Sequence, residues 1–216
     1  MREPEFQIFQ CENPACRFRC PNNLSERSLT RCPLCGAPMT AQGAPFTNLK
    51  RAHTPAETSL PRVEVLLDNL RSTLNVGSIF RSADGAGVRK IYCAGTTPTP
   101  EHPKIAKTGL GAEDFTPWEY VRNGLDWARQ KKAEGFLLLA LEAAPQAQSL
   151  FSFPPLSGQG RYLFVVGNEV SGIDPEIIAL ADATLFIPMR GEKSSLNVAV
   201  AFGIAAYTLL DTSDKS

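Results

Sequence analysis

The sequence has almost no histidine and no excess of charge of either sign. Only two of its 216 residues are histidine, and its 22 lysines and arginines equal its 22 aspartates and glutamates in number. The shortage of histidine disfavours a histidine general base or a histidine-rich metal centre. The balance of charge disfavours a large electrostatic field as the basis of nucleic-acid binding, although local basic patches are sufficient for that purpose.

Long apolar runs are also missing. The longest, residues 136–141 and 163–166, are far too short to cross a bilayer. The N-terminus, MREPE, is charged and is not followed by an apolar core, so we expect no signal peptide. These features predict a cytoplasmic chain without membrane segments. In that compartment, clustered cysteines indicate a metal site more than disulfides.

The motifs of the common nucleotide-binding folds are absent as well. The pairs Gly85/Gly87 and Gly109/Gly111 lack the third glycine of the dinucleotide-binding fingerprint, and there is no Walker A sequence. Cys93 ends a strand-like run without a plausible base, which favours a core position over a catalytic nucleophile. Dinucleotide and P-loop nucleotide binding are therefore disfavoured.

Five of the six cysteines lie within the first 35 residues. A C-x4-C pair is followed, after fifteen residues, by the C-x2-C-G sequence that is typical of a zinc knuckle. We assign Cys11, Cys16, Cys32 and Cys35 as the ligands of a closed tetrahedral zinc site, with Cys20 as a small buried residue. A redox dithiol is the alternative, but two separated pairs without a flanking βαβ pattern favour zinc. So short a segment has little core, and we expect the ion to hold it together.

The rest of the chain alternates strand and helix signals. A zinc-ribbon-like domain over residues 1–45 is followed by a predicted linker over 46–61, in a stretch rich in alanine, proline and threonine, and by a larger domain over 62–216. The alternation predicts an α/β fold with a mainly parallel sheet and helices on both faces. The predicted strands are 63–67, 90–93, 136–141, 162–166 and 184–188, and the predicted helices are 76–85, 124–134, 175–181 and 198–210.

Three segments that follow or span these strand ends carry the candidate functional residues. They are residues 69–83 (NLRSTLNVGSIFRSA), 165–173 (VVGNEVSGI) and 187–201 (IPMRGEKSSLNVAVA). Open α/β sheets bind ligands at the carboxyl ends of their strands, and a helix start offers unpaired N–H groups. Taken singly, the polar residues have ordinary local explanations: a helix cap for Asn75 or Ser195, a turn for Glu169, and pairing of Arg81 with Asp84.

Together and in this order, the three segments resemble the motifs of the SpoU-type (TrmH-like) RNA ribose 2′-O-methyltransferases of the SPOUT superfamily. The resemblance covers about residues 62–211. It implies a C-terminal deep trefoil knot, S-adenosylmethionine as a cofactor held by the knot loops, and a homodimer. The cofactor contacts that it implies are Gly167, Asn168, Glu169, Ile187, Met189, Ser195 and Leu196.

The resemblance assigns catalysis to Arg81, supported by Asn75, Glu169, Ser195 and Asn197. A ribose 2′-hydroxyl is a poor nucleophile near neutral pH, so its proton must be removed or its developing charge stabilised. Arginine stays protonated at ordinary pH. We therefore expect Arg81 to stabilise the negative charge that develops on the 2′-oxygen more readily than it would act as a base. Asn75 lies on a different side of the helix, and we expect it to organise the helix start. The other three are expected to orient Arg81, the hydroxyl or the loop backbone.

The sequence therefore predicts an S-adenosylmethionine-dependent enzyme that methylates a ribose 2′-hydroxyl of tRNA or rRNA, with a zinc ribbon that helps to select the RNA. Ribbon arginines 17, 19, 27 and 31 are candidates for phosphate contacts. Two alternatives remain: a non-catalytic zinc-ribbon RNA-binding or ribosome-associated protein, and a SPOUT enzyme that methylates a base. Residues 104–113, with two lysines and two glycines, are interpreted either as a phosphate-facing loop or as a plain surface loop.

Overall fold

A computed structural model describes residues 5–26, 29–47, 61–156 and 158–210. The chain divides into two compact units, Met1–Pro55 and Ala56–Ser216. The last strand of the first unit continues to Thr47, two residues past the predicted end of the ribbon domain. Most of the predicted linker, residues 48–60, lies outside the described residues. None of the described helices is long and apolar enough to cross a membrane.

The N-terminal unit is a three-stranded antiparallel sheet in the order β2-β1-β3. Its strands are β1 (Glu5–Cys11), β2 (Arg19–Asn23) and β3 (Met39–Thr47). Among the described residues of this unit, Cys11, Cys32 and Met39 are buried, and Phe18 packs against them. Two of these three buried side chains are cysteines, so the apolar core of the unit is small.

The C-terminal unit contains a seven-stranded sheet in the order β6-β5-β4-β9-β7-β10-β8. Every adjacent pair of strands in it is parallel. Its strands are β4 (Arg62–Asp68), β5 (Lys90–Ala94), β6 (Trp118–Val121), β7 (Leu137–Leu141), β8 (Gln148–Ser149), β9 (Arg161–Gly167) and β10 (Ala183–Phe186).

Six helices accompany this sheet in the described residues. They are α1 (Thr73–Ala86), α2 (Ala106–Gly109), α3 (Ala112–Phe115), α4 (Gly124–Ala133), α5 (Pro175–Leu180) and α6 (Val198–Leu210).

Apolar side chains of β4 point alternately to two cores. Val63, Val65 and Leu67 join a core shared with α1 and α6. Leu66 joins a core on the other face, shared with α4 and α5. Because consecutive strand residues face opposite sides of a sheet, helices cover both faces, and the predicted α/β class is confirmed.

Residues 104–113 do not form a plain surface loop. They contain α2 and lead into α3, and the side chain of Ile105 is fully buried in the core that includes α1. Thr108 Oγ1 also donates a hydrogen bond of 2.9 Å to the carbonyl of Leu74. This anchoring fixes the segment beside the start of α1, because a buried apolar side chain and a side-chain hydrogen bond both resist its displacement.

Candidate cofactor and active site

The first candidate segment begins where β4 ends. The chain turns at Asn69, which has a positive φ of 56°, a conformation that asparagine tolerates better than most residues. Ser72 then caps α1 by accepting a hydrogen bond of 3.3 Å from the N–H of Asn75. The interpretation of Asn75 as a helix cap is therefore wrong: the cap is Ser72, and Asn75 is free to use its side chain elsewhere.

Glu169, in the loop after β9, braces this helix start. Its carboxylate accepts hydrogen bonds from the N–H groups of Arg71 (2.9 Å) and Ser72 (3.1 Å) and from Nδ2 of Asn75 (2.9 Å). Burial acts to raise the pKa of Glu169, but the hydrogen bonds from Arg71, Asn75 and Ser72 outweigh it and lower the pKa overall. Glu169 is thus a charged brace between the first two candidate segments.

Asn75 extends this brace to the third segment. Asn197 Nδ2 donates a hydrogen bond of 3.0 Å to Asn75 Oδ1. The Oδ1 atom of Asn197 accepts from the N–H groups of Ala199 (2.9 Å) and Val200 (3.4 Å), and so caps α6. The cap of this helix is Asn197, so the interpretation of Ser195 as a helix cap is wrong. One chain of hydrogen bonds, Glu169–Asn75–Asn197, joins all three segments, and we name it the motif brace.

The loop after β9 folds back on itself. Asn168 and Gly172 pair through two backbone hydrogen bonds of 3.0 and 3.1 Å, and Asn168 Nδ2 donates to the carbonyl of Asn69 at 2.7 Å. A Cβ atom on Gly167 would lie 2.3 Å from the nitrogen of Ile173. Glycine is therefore required at 167, since any side chain would push the returning loop away.

Beside the motif brace lies a cavity of 340 Å³ at the carboxyl ends of β7, β9 and β10. A volume of this size is within the range of small-molecule sites. Apolar side chains such as Leu141 and Leu185 lie beside strand-end backbone groups in its wall, a combination that suits a ligand with an aromatic base and polar groups. All the residues expected to contact the cofactor line it: Gly167, Asn168, Glu169, Ile187, Met189, Ser195 and Leu196.

The predicted catalytic residues fall into two groups with respect to the cavity. Ser195 and Asn197 line the cavity, whereas Asn75 and Arg81 are not among the described residues that do so. Arg81 is exposed on α1, and within the described part of the chain it forms no hydrogen bond or ion pair, so the pairing with Asp84 is not observed there. Its guanidinium is thus left available to a partner from solvent.

Sequence reasoning missed Glu142, which also lines the cavity. This residue directly follows β7, and its carboxylate accepts hydrogen bonds from the N–H groups of Ala143 (3.0 Å) and Ile173 (3.1 Å). The signal was present in the sequence, because an acidic residue immediately after a buried run lies at the edge where parallel sheets bind ligands.

In the N-terminal unit, the four predicted zinc ligands converge. The sulfur atoms of Cys11, Cys16, Cys32 and Cys35 all lie within 4.8 Å of one another, with Cys11–Cys35 at 3.4 Å and Cys16–Cys32 at 3.8 Å. Tetrahedral zinc with Zn–S bonds of about 2.3 Å requires sulfurs about 3.8 Å apart. Cys20 lies on β2, outside this group. The donor set therefore fits a structural zinc ion.

The thiols of this cluster differ in their acidity. Burial raises the pKa of Cys11 to about 12, whereas a backbone hydrogen bond from Ala37 is the main cause that lowers the pKa of Cys35 to about 7. A bound cation would lower the pKa of Cys11, against the effect of burial, because it would stabilise every thiolate around it.

Comparisons with known proteins point to one family. A family model described as the SpoU rRNA Methylase family matches residues 62–207. The chain is 30% identical over 159 residues to the 23S rRNA (guanosine(2553)-2'-O)-methyltransferase RlmP of Bacillus subtilis, covering 73% of this chain and 62% of that protein. It is 31% identical over 163 residues to the tRNA (guanosine(18)-2'-O)-methyltransferase of Aquifex aeolicus, covering 74% of each.

The structure is similar to that of an AdoMet-bound rRNA methyltransferase from Sinorhizobium meliloti, with a TM-score of 0.64 and 29% identity, over 69% of this chain and 56% of that one. The chain spans about three fifths of the length of the first curated relatives that it matches, 62% in both cases.

Proposed function

Because the chain belongs to the SpoU rRNA methylase family, we propose that it transfers a methyl group from S-adenosylmethionine to a ribose 2′-hydroxyl of tRNA or rRNA. One observation carries the proposal. The motif brace joins three segments that are distant in sequence, and the cavity beside it is lined by every residue expected to contact the cofactor. The names of the relatives support the reaction and the two classes of RNA. These substrates also support the cytoplasm as the compartment.

The cofactor supplies a methyl group on a sulfonium, which makes that carbon a good electrophile. In this chain the backbone at Gly167, Ile187, Met189 and Leu196 would hold it, and the apolar walls of the cavity would exclude water. Family membership further supports a trefoil knot in the segment from β9 to α6, and two copies of the chain in the active form. Val200 and Tyr207, both more than half exposed on α6, are available to a second copy.

Arg81 would act on the nucleophile. Its guanidinium would donate hydrogen bonds to the 2′-oxygen as negative charge develops there, and the proton of the hydroxyl would leave to solvent or to an RNA phosphate. The motif brace would keep α1, and therefore Arg81, in register with the loop after β9. Asn75 and Glu169 both form that brace, so we assign them positioning roles, and Glu169 also lines the cavity as an expected cofactor contact.

The cysteine cluster would bind a structural Zn²⁺ ion through Cys11, Cys16, Cys32 and Cys35. Arg17, Arg19 and Arg31 are exposed in this unit, which suits phosphate contacts with the RNA, whereas residue 27 lies outside the described residues. Metal analysis of the folded protein tests the ion. A preparation without zinc, in which the four thiols are freely alkylated, would contradict its assignment.

Transfer of labelled methyl groups from S-adenosylmethionine tests the activity. The full chain is incubated with separate tRNA and rRNA pools from a strain that lacks the gene, and the labelled nucleosides are identified. We expect a 2′-O-methylnucleoside. Arg81→Ala should lower the rate about a hundredfold to a thousandfold without changing cofactor affinity, as for the loss of one oxyanion-stabilising donor. Arg89→Ala, at an exposed arginine just past α1, is the matched control.

Each other outcome identifies an alternative. Label on a base would favour a base-methylating enzyme. Cofactor binding without transfer to either pool would favour the non-catalytic RNA-binding protein.

A further inference from the structure

We infer that the carboxylate of Glu142 recognises the two ribose hydroxyls of the cofactor. This inference rests on the proposed function, because it assigns a role within the same cavity. It concerns a residue that lies outside all three candidate segments. It also makes Glu142 a determinant of which adenosine derivatives the cavity accepts.

The backbone holds Glu142 at the centre of the ligand-binding edge. The residue directly follows β7, and its N–H donates a hydrogen bond of 2.9 Å to the carbonyl of Leu185 in β10. Leu185 and Glu142 both line the cavity. The side chain therefore starts from a fixed position between two neighbouring parallel strands.

The carboxylate is also oriented by two loops. Its Oε1 accepts from the N–H of Ala143 at 3.0 Å, and its Oε2 accepts from the N–H of Ile173 at 3.1 Å. Gly172 has a φ of +75°, and a Cβ atom there would lie 2.5 Å from Oε2. The glycine thus allows the loop after β9 to approach the carboxylate closely, which positions it before any ligand arrives.

Two acceptor positions of Glu142 are left over. An ionised carboxylate has about four lone-pair sites, and the described residues supply one donor to each oxygen. Glu169, by contrast, accepts three hydrogen bonds from α1 and the loop before it. No lysine or arginine in the described part of the chain forms an ion pair with Glu142. Glu142 is partly exposed, so water can supply the missing donors in the free protein, and a ligand that displaces this water must replace them with donors of its own.

The ribose of the cofactor matches these acceptors best. Its two neighbouring hydroxyls are donors that lie side by side, as the two oxygens of Glu142 do. In other open α/β sheets an acidic residue also binds a ribose hydroxyl of a nucleotide cofactor. The methionine end of the cofactor fits less well, because its ammonium group adjoins a carboxylate that would repel Glu142, whereas the ribose offers two donors and no negative charge.

Affinity for ribose-modified ligands tests this assignment without relying on turnover. Binding of S-adenosylhomocysteine and of its 2′-deoxy and 3′-deoxy analogues is measured by calorimetry on the wild-type chain and on Glu142→Ala. Loss of a hydrogen bond to a charged group should weaken wild-type binding of each analogue about tenfold or more. Glu142→Ala removes both hydrogen bonds at once, so it should weaken binding of the parent ligand by at least the larger of these two factors and should no longer distinguish the parent from the analogues.

Two controls separate recognition from a fault in folding. Glu142→Gln keeps the size of the side chain, loses its charge and sets an NH2 group against one of the two backbone N–H donors, so it should lose most of the discrimination while thermal unfolding still shows a folded protein. Glu176→Ala, at an exposed acidic residue of α5, should bind all the ligands as the wild type does.

The remaining outcomes overturn the inference in different ways. Equal weakening of every ligand by Glu142→Ala, with discrimination retained, would mean that the residue only supports the loop. Weakening of S-adenosylmethionine but not of S-adenosylhomocysteine would assign the carboxylate to the sulfonium charge. Wild-type protein that binds none of these ligands would overturn the proposed function together with the inference, whereas tight binding with unchanged discrimination overturns the inference alone.

Discussion

In the N-terminal unit the buried apolar positions are Cys11, Cys32 and Met39, whereas the C-terminal unit buries apolar side chains on both faces of a seven-stranded sheet. The small unit has little apolar surface to remove from water, so the hydrophobic effect contributes little to its stability. Its proposed zinc ion would supply that stability. The larger unit buries much more apolar surface, so it can remain folded although it also encloses polar residues.

The larger unit buries charged groups, and the proposed zinc site would hold thiolates in the ribbon, but the two units would neutralise these charges by different means. The thiolates of the ribbon need a cation that comes from solution. In the larger unit the side chain of Glu64, 1% exposed, is paired with Lys131 at 3.0 Å and with Arg62 at 2.6 Å, and it accepts a hydrogen bond of 2.7 Å from the hydroxyl of Tyr92. Buried charges require partners in either case. The partners of Glu64 are covalently part of the chain, so only the ribbon should depend on metal concentration.

Removing a zinc ligand should produce the largest effect. Cys32→Ser should unfold the N-terminal unit, because structural zinc contributes on the order of 10 kcal/mol to the folding of such small units. Amide NMR signals of residues 5–47 should collapse to random-coil positions, while those of 61–210 stay in place. Cys20→Ser, outside the cluster, should leave both sets unchanged. Dispersed ribbon signals in Cys32→Ser would contradict the metal-dependent fold.

Removing Lys131, a counter-charge of the buried Glu64, should have the next largest effect. Lys131→Ala should lower the free energy of unfolding of the C-terminal unit by about 1.5–3 kcal/mol, because it removes the charged donor to Oε2 of Glu64 and leaves Arg62, which is bonded to Oε1, as the remaining counter-charge. The double change Glu64→Gln with Lys131→Met should recover most of this loss. Urea unfolding measures both. The neighbouring Lys132, 40% exposed, is the matched control, and Lys132→Ala should cost less than about 1 kcal/mol.

Acid should weaken the same buried pair. Burial acts to raise the pKa of Glu64, but hydrogen bonds from Tyr92, Lys131 and Arg62 outweigh it, so the pKa is lowered from 4.5. A lowered pKa means that the stabilisation is complete above the unfolded value of 4.5 and is lost as the pH falls through the folded value. The difference in unfolding free energy between wild type and Glu64→Gln should therefore shrink on acidification below pH 4.5. A difference that is constant with pH would show that the charge of Glu64 does not matter.

The smallest effect is expected at the motif brace. Asn197→Ala removes the cap of α6 and the hydrogen bond to Asn75, and should cost the C-terminal unit about 1 kcal/mol. The large core keeps the unit folded, so the main effect of Asn197→Ala should be weaker cofactor binding. Calorimetry measures the cofactor affinity of this variant, and urea unfolding measures its stability. A loss of stability above about 3 kcal/mol would mean that the brace is a major source of stability.

The sequence allowed the sheet of the larger unit to be predicted in outline, because its central strands are short apolar runs at regular intervals. It did not reveal β6, an edge strand of four residues that is only partly buried and therefore lacks that pattern. Nor did it reveal the pairing of Glu64 with Lys131, since a charged residue inside an apolar run has no signal for its distant partner. The cysteine cluster was predictable because the spacing of metal ligands is local.

Of the candidate site, the residues were predictable and their connections were not. The resemblance indicated Asn75, Glu169 and Asn197, but their hydrogen bonds join positions 94 and 122 residues apart. Such contacts exist only after the chain has folded. Glu142 differs, because its position directly after a buried run was a local signal, and only its contact with a loop 31 residues further along could not be predicted.

The order of the cavity-lining residues along the chain has a consequence for protein synthesis. Part of the wall comes from residues 189–201, and α6 is the last described helix. A nascent chain that has reached only β9 already exposes Gly167, yet it lacks the opposite side of the cavity and the partner of Asn75. During translation the ribosome must therefore pass residue 201 before any cofactor can be retained, so truncated products of this gene should be inert toward S-adenosylmethionine.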